Sequence, residues 1–191
     1  MKKFIPIILI GILVVWAISI NNGLIEKEEQ VEEAWAQVEN VYQRRADLIP
    51  NLVATVKGAA KFEQETLTQV IEARAKATST TIDPSNLSPE AIQQFQAAQD
   101  GLSSALSKLM VVVERYPELK ATQSFIELQA QLEGTENRIA VERKRFNEVV
   151  RVYNTARRRF PASLFASIFG FDKKGYFQSA PGADKAPEVS F

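Results

Sequence analysis

The sequence predicts an all-α protein: an N-terminal transmembrane helix followed by an antiparallel up-and-down bundle of three long helices, with room for a short fourth. Three observations predict it. Phe4 to Ile20 is an uncharged apolar run at the short end of what spans a bilayer. From Val31 to Ala77 a stripe recurs at alternating steps of four and three, the 3.5-residue period of a bundle seam. Two later stretches carry equally regular helical stripes, and none of the three alternates with the period of two that a strand requires.

The apolar run reads as an uncleaved anchor meeting the lipid bilayer through 4–20. A cleaved signal peptide is the rival reading. It needs a shorter apolar region ending in small residues, where this chain has Trp16, Ile18 and Ile20. Lys2 and Lys3 precede the run and Glu26, Glu28 and Glu29 follow it, which puts the N-terminus in the cytoplasm and the bulk of the chain outside. The expected divisions are 1–23 for the cytoplasmic N-terminus and anchor, 24–171 for the bundle, and 172–191 for a flexible tail.

The first bundle helix is expected from Leu24 to Thr78, about 80 Å long at the α-helical rise. Its stripe includes Trp35, Val38, Tyr42, Arg45, Ala59, Glu63 and Arg74. The phase is the same on both sides of Pro50, so Pro50 reads as a kink within one helix. After the breaker-rich Ser79–Leu87, Ser88 caps and Pro89 opens a second helix, with Ile92, Phe95, Gln99 and Leu102 on its stripe. Pro117 ends it. The third is expected over Glu118–Arg159, with Leu132, Ile139, Phe146 and Tyr153 in one row and Gly134 as a weak point. Helix two covers only about 40 Å of helix one. Trp35, Val38 and Tyr42 are therefore expected to contact a like subunit or another membrane protein. Ala162–Phe171 is too apolar for a free linker; it is either a short fourth helix closing the bundle or a membrane-surface segment.

The 191 residues include no Cys and no His, and formal net charge is zero. Thiol chemistry, disulfides, Ser-His triads and thiolate or histidine metal sites fall together. No catalytic residue, metal site or cofactor is expected. Nucleic acid is not an expected partner either: no net field recruits it, and the basic row Lys144, Arg151, Arg158 lacks interleaved aromatics.

Charge on a seam is expensive unless it is paired. That singles out Arg45, Glu63, Arg74, Glu136, Arg143, Asn147 and Asn154 as a polar network inside the bundle. One reading is structural, with charges and amides crossing between helices to fix register. The functional readings are a pocket for a small polar ligand and an acid-base pair of Glu63 with Glu136. Charge is also segregated along the chain. Glutamates crowd the base of helix one from Glu26 to Glu39, and Arg157, Arg158 and Arg159 close helix three. If three helices alternate in direction, these blocks lie far apart. They can then meet only between molecules, or if Gly134 reverses helix three.

Taken together, several stretches resemble the LemA family of bacterial membrane-anchored helical proteins. They are Arg44-Arg45-Ala46-Asp47-Leu48-Ile49-Pro50-Asn51-Leu52, Glu114-Arg115-Tyr116-Pro117, Glu136-Asn137-Arg138-Ile139-Ala140, Phe146-Asn147, Tyr153-Asn154 and the terminal Pro187-Glu188-Val189-Ser190-Phe191. The resemblance implies a single-pass protein of the bacterial inner membrane with an extracytoplasmic bundle, and supplies no mechanism. The function expected is a non-catalytic, homo-oligomeric scaffold in the cell envelope. One alternative is an adaptor for another membrane protein, such as the zinc metallopeptidases whose genes often accompany the family. The other is a small-ligand sensor. Val189 and Phe191, on one face of an extended chain end, are expected to dock on a neighbouring subunit or on a partner's sheet edge.

Overall fold

The computed structural model describes residues 5–58 and 63–178. Six helices follow one another: α1 (Ile5–Lys57), α2 (Gln64–Ser79), α3 (Pro89–Val113), α4 (Pro117–Lys120), α5 (Gln123–Arg158) and α6 (Ala162–Ala166). No strand occurs among the described residues. α1 passes without a break from the apolar run into the bundle seam, and its N-terminal part is long and apolar enough to cross a membrane. Side chains there, such as Ile10 and Leu13, face outward, whereas Val31, Trp35 and Val38 are fully buried.

The single helix expected over Leu24–Thr78 is two helices. α1 continues through Pro50, ends at Lys57 with Gly58 in the turn, and α2 folds back along it. Arg74 of α2 bonds to the Ala46 carbonyl of α1 at 2.8 Å. The stripe looked continuous because Val56 and Glu63 are one heptad apart, so the reversal preserved the phase. Ala59, which belonged to that stripe, lies outside the described residues.

This extra reversal resets the topology. α3 runs antiparallel to α2, with Gln99 reaching the Ala77 carbonyl and Arg115 pairing with Glu63. α5 runs antiparallel to α1, with Glu136 opposite Arg45 and Phe146 against Trp35. The bundle is therefore up-down-up-down, and the basic end of α5 returns to the acidic base of α1 within one subunit. Gly134 sits inside α5 without interrupting it; the break comes earlier, where Pro117 starts the one-turn α4 and Thr122 precedes α5 with its hydroxyl turned back to the Leu119 carbonyl. The cap of α3 is as expected, Ser88 Oγ accepting from Ala91 N–H at 3.2 Å.

Trp35, Val38 and Tyr42 face the interior of their own chain. Trp35 meets Phe95 and Phe146 edge-on at 5.0 and 5.6 Å, and Tyr42 meets Phe95 at 5.2 Å. Aromatic pairs of this kind contribute about 0.5–1.5 kcal/mol each beyond area burial. Partner contact is expected at these residues from sequence because a second helix of about 40 Å is too short to cover them. The descending α5 and the N-terminal half of α3 cover them instead. Farther from the apolar N-terminal run, Ile49, Leu52 and Val56 pack with Leu67, Val70, Leu109 and Phe125 in a second core cluster.

Beyond α6 the chain turns back along the bundle. Residues 171–178 run extended, with Phe171, Lys174 and Phe177 buried. A flexible tail was expected from residue 172, on composition. Here the Phe177 ring stacks on Trp35 at 6.1 Å and makes this stretch part of the core.

Candidate functional site

The polar residues singled out by the sequence separate into two sets, and one stands apart. The first set is centred on Arg45, which is 1 % exposed. Its Nη1 donates to Glu136 Oε1 and Ser103 Oγ, both at 2.7 Å. Its Nη2 donates to Gln99 at both Oε1 (2.8 Å) and the main-chain oxygen (3.1 Å). Gln99 in turn donates to the Ala77 carbonyl at 3.2 Å. One guanidinium thus joins α1, α3 and α5, and Gln99 extends the link to α2. The fork geometry of arginine, with several rigid donors, suits this junction better than a lysine could. Arg74 braces the same level through Ala46.

Glu63 lies outside this network. It is exposed at the start of α2 and pairs with exposed Arg115 at 2.9 Å. It does not join Glu136 as an acid-base pair, since each carboxylate is held by a different arginine. The expectation of Glu63 as an interior charge assumed that the seam ran straight through the turn. Among the described residues no acidic cluster has the makings of a metal site.

The second set holds the extended segment 171–178. Asn154 Nδ2 donates to Lys174 O at 2.9 Å, and Lys174 N–H donates to Asn154 Oδ1 at 3.1 Å. Asn147 repeats the pattern on Phe177, at 2.8 and 2.9 Å. Gln96 of α3 repeats it on Gln178, at 3.1 and 2.9 Å. Each primary amide presents a donor beside an acceptor to the strap, which is what a neighbouring strand would offer an extended backbone. The spacing is matched as well. Two turns of α5 between Asn147 and Asn154 span about 10.5 Å, and three extended residues span about 10 Å. Arg143 completes the clamp, donating to Gln178 O at 2.8 Å with its guanidinium over the Phe177 ring at 4.8 Å. At the lower end Tyr153 donates to Asp172 O and Arg157 to Phe171 O. Burial pushes the Tyr153 hydroxyl above its ordinary pKa and keeps it a neutral donor.

Two further features fix this strap. Gly175 crosses the N-terminus of α3 so closely that a Cβ there would lie 2.7 Å from Pro89 Cα; its N–H donates to Leu87 O at 2.8 Å. Lys174 is 4 % exposed and reaches Glu28 at the base of α1, 2.6 Å away, and the Ser85 carbonyl at 3.0 Å.

The strap occupies the part of the cleft between α3 and α5 that lies nearer the apolar N-terminal run of α1. Above it the cleft is an open groove of about 690 Å³. Leu106, Met110 and Leu132 line it with Ser107, Glu133 and Glu136, so the Arg45–Glu136 pair borders the groove. Gln96, Ser103 and Lys174 were not singled out in the sequence, and Gln99 was noted only as a stripe position. The signal for Gln96 and Gln99 was two glutamines one turn apart on an otherwise apolar face. Ser103 and Lys174 gave none. Val189 and Phe191, expected to dock on a partner, lie outside the described residues.

Comparison with known proteins places this arrangement. A family model described as the LemA family matches residues 34–191. Magnetosome protein MamQ of Magnetospirillum gryphiswaldense is 26 % identical over 184 residues, covering 85 % of this chain and 66 % of its own length. Magnetosome protein MamQ 2 of Paramagnetospirillum magneticum is 25 % identical over the same shares. Protein LemA of Metamycoplasma hominis is 22 % identical over 174 residues, 91 % of this chain and 76 % of its own. The chain spans just under two thirds of the length of the MamQ proteins it matches.

Proposed function

The chain belongs to the LemA family, and from that premise we propose that it is a non-catalytic scaffold of the cell envelope, anchored by α1 in the inner membrane with its bundle outside. The observation that carries this reading is the continuity of α1. One helix of 53 residues serves as anchor and as core of the bundle, with no linker between them. A bundle joined in this way is held at a set height and tilt above the membrane, which suits presenting a surface rather than swinging between partners. Arg45, Arg74, Arg143, Asn147 and Asn154, the polar side chains of the two sets, are engaged in holding helices and strap together.

The surface presented is the groove between α3 and α5, and its occupant in this reading is a second copy of the chain. The apolar floor of Leu106, Met110 and Leu132 accepts a helix face, and the rim carboxylates Glu133 and Glu136 complement an exposed cation at the same height on a neighbour, such as Arg138. Light scattering on the full-length protein in detergent tests this. The expected result is an oligomer that Ser107→Trp, at an exposed position on the groove wall, reduces to a monomer without lowering the melting temperature. A clean wild-type monomer overturns self-assembly. Photocrosslinking from the same position in cells would then identify a different membrane protein in the groove, the adaptor reading.

A further inference from the structure

We propose that the outward ridge of Phe160, Leu164 and Ile168, with Arg158 and Arg159 beside it, seats the base of the bundle on an anionic bilayer surface. This gives the protein a second membrane contact besides α1. The proposal rests on the reading of α1 as a transmembrane anchor.

The ridge is built inside out for a segment facing water. Its alanines face the bundle: Ala166 is 1 % exposed, and Ala162 packs on the core. Its large apolar residues face away, with Phe160 at 78 %, Leu164 at 60 % and Ile168 at 75 % exposure. The spacing of four places Leu164 and Ile168 on one side. A helix on an aqueous surface arranges these classes the other way round. The ridge is also a fixed structure. Phe169 N–H bonds Phe165 O and Phe171 N–H bonds Ala166 O, both at 2.9 Å, and Gly170 closes the turn at φ 78°. The Phe165 and Phe169 rings stack at 5.9 Å.

Its place in the fold points to lipid as the occupant. α6 packs against α1 and α5, and Ile20 and Ala162 pack on the same core cluster. Below Ile20 the anchor is exposed from Ile7 to Ile18, so the apolar surface continues from anchor to ridge. The apolar run ending at Ile20 gives about 25 Å of helix against about 30 Å of hydrocarbon, which brings the bilayer up to the base of the bundle. The charges nearest that level are positive. Continuing the α1–α5 register set by Arg45 opposite Glu136 and Trp35 opposite Phe146 brings Arg158 and Arg159 level with Gly23 and Asn22, on the membrane side of Glu26 and Glu29. Both arginines are exposed. Apolar side chains flanked by cations are the combination that binds an anionic interface.

The test uses the full-length protein in vesicles, and the absence of native cysteine allows single reporters. Ile168→Cys, Val14→Cys in the anchor and Val111→Cys at the far end of α3 are each labelled with an environment-sensitive fluorophore. They are reconstituted in phosphatidylcholine alone or mixed equally with phosphatidylglycerol, with doxyl lipids as quenchers. The label at Ile168 is expected to be quenched several-fold more than that at Val111, more so with phosphatidylglycerol, and less after Arg158→Gln/Arg159→Gln. Quenching at Val14 without quenching at Ile168 overturns the proposal and leaves the anchor standing. No quenching at either position overturns both. Quenching at Ile168 that ignores lipid charge and the arginine substitutions overturns the anionic contact.

Discussion

Arg74 supplies to the Ala46 carbonyl the hydrogen bond that Pro50 withholds. Within α1 the Ala46 oxygen would accept from the N–H of residue 50, which proline lacks. Arg74 Nε donates there at 2.8 Å from α2. The proline leaves a free acceptor on the inner face of α1, and the guanidinium from the antiparallel helix occupies it. An arginine on the seam of α2 is thereby accounted for. So is a proline tolerated inside a long helix, since the unmet carbonyl becomes a docking point between helices.

This relationship predicts an interaction between the two positions. Arg74→Ala should cost about 1–3 kcal/mol in the wild-type background, where it orphans a carbonyl. In Pro50→Ala the helix can bond Ala46 itself, and the same substitution should cost clearly less. Denaturant titration of the four variants in micelles provides the cycle. Equal losses in both backgrounds would show that Arg74 acts through packing alone.

Arg45 and Glu63, alike on the sequence stripe, should behave differently. Arg45→Ala removes the junction of three helices, leaves a void among buried neighbours and leaves the Gln99 side chain and the Ser103 hydroxyl short of a partner, at a cost of about 2–4 kcal/mol. Glu63→Ala disturbs an exposed pair worth less than about 1 kcal/mol. Arg45→Met should lose less than Arg45→Ala, because half-exposed Glu136 can turn to water while the methionine fills space. Comparable melting temperatures for Arg45→Ala and Glu63→Ala would disprove the central role of the guanidinium.

The amide clamps predict a local effect on the strap. Asn147→Asp keeps the acceptor for Phe177 N–H but sets a carboxylate against Phe177 O, where Nδ2 now donates. Hydrogen exchange at Phe177 and Gln178 should rise by at least tenfold, with core amides of α1 little changed. Gly175→Ala should do the same from the other side, because its Cβ would press on the backbone of Pro89 rather than on a movable side chain. Unchanged exchange in both variants would mean that the strap is held by Phe177 burial alone.

Much of the fold is legible in the sequence because it is set by periodicity. The stripes through Trp35 and Leu52, through Phe95 and Leu102, and through Ile139 and Phe146 are the buried faces. What the stripe could not reveal was direction. Val56 and Glu63 lie one heptad apart, so the pattern is unbroken although the chain reverses, and the reversal decides which helix covers Trp35 and where the arginines of α5 end. The candidate site was half legible for a related reason. Asn147 and Asn154 stand out as amides at heptad spacing, but their partners are backbone atoms of an extended segment, and backbone partners leave no trace in residue identity. Lys174, in a polar, glycine-containing stretch, has the look of a solvated lysine. Only the fold brings Glu28 to it.

That pair carries the last prediction, an asymmetry. Lys174 is 4 % exposed and Glu28 is 26 % exposed at their 2.6 Å contact. Removing the carboxylate strands an ammonium that retains the Ser85 carbonyl and the face of the Tyr153 ring, 5.8 Å away, but has no counter-charge. Removing the ammonium strands a carboxylate that water can partly reach. Glu28→Ala should therefore cost about 3–5 kcal/mol, and Lys174→Met less, because the methionine keeps the packing and Glu28 rehydrates. Glu28→Ala/Lys174→Met should recover much of the single Glu28→Ala loss, since no unpaired charge then remains buried. Denaturation midpoints of the three variants give the comparison. If Lys174→Met proved the more damaging of the two, the strap would be held chiefly by the lysine's contacts with Ser85 and Tyr153, and the ion pair would be secondary.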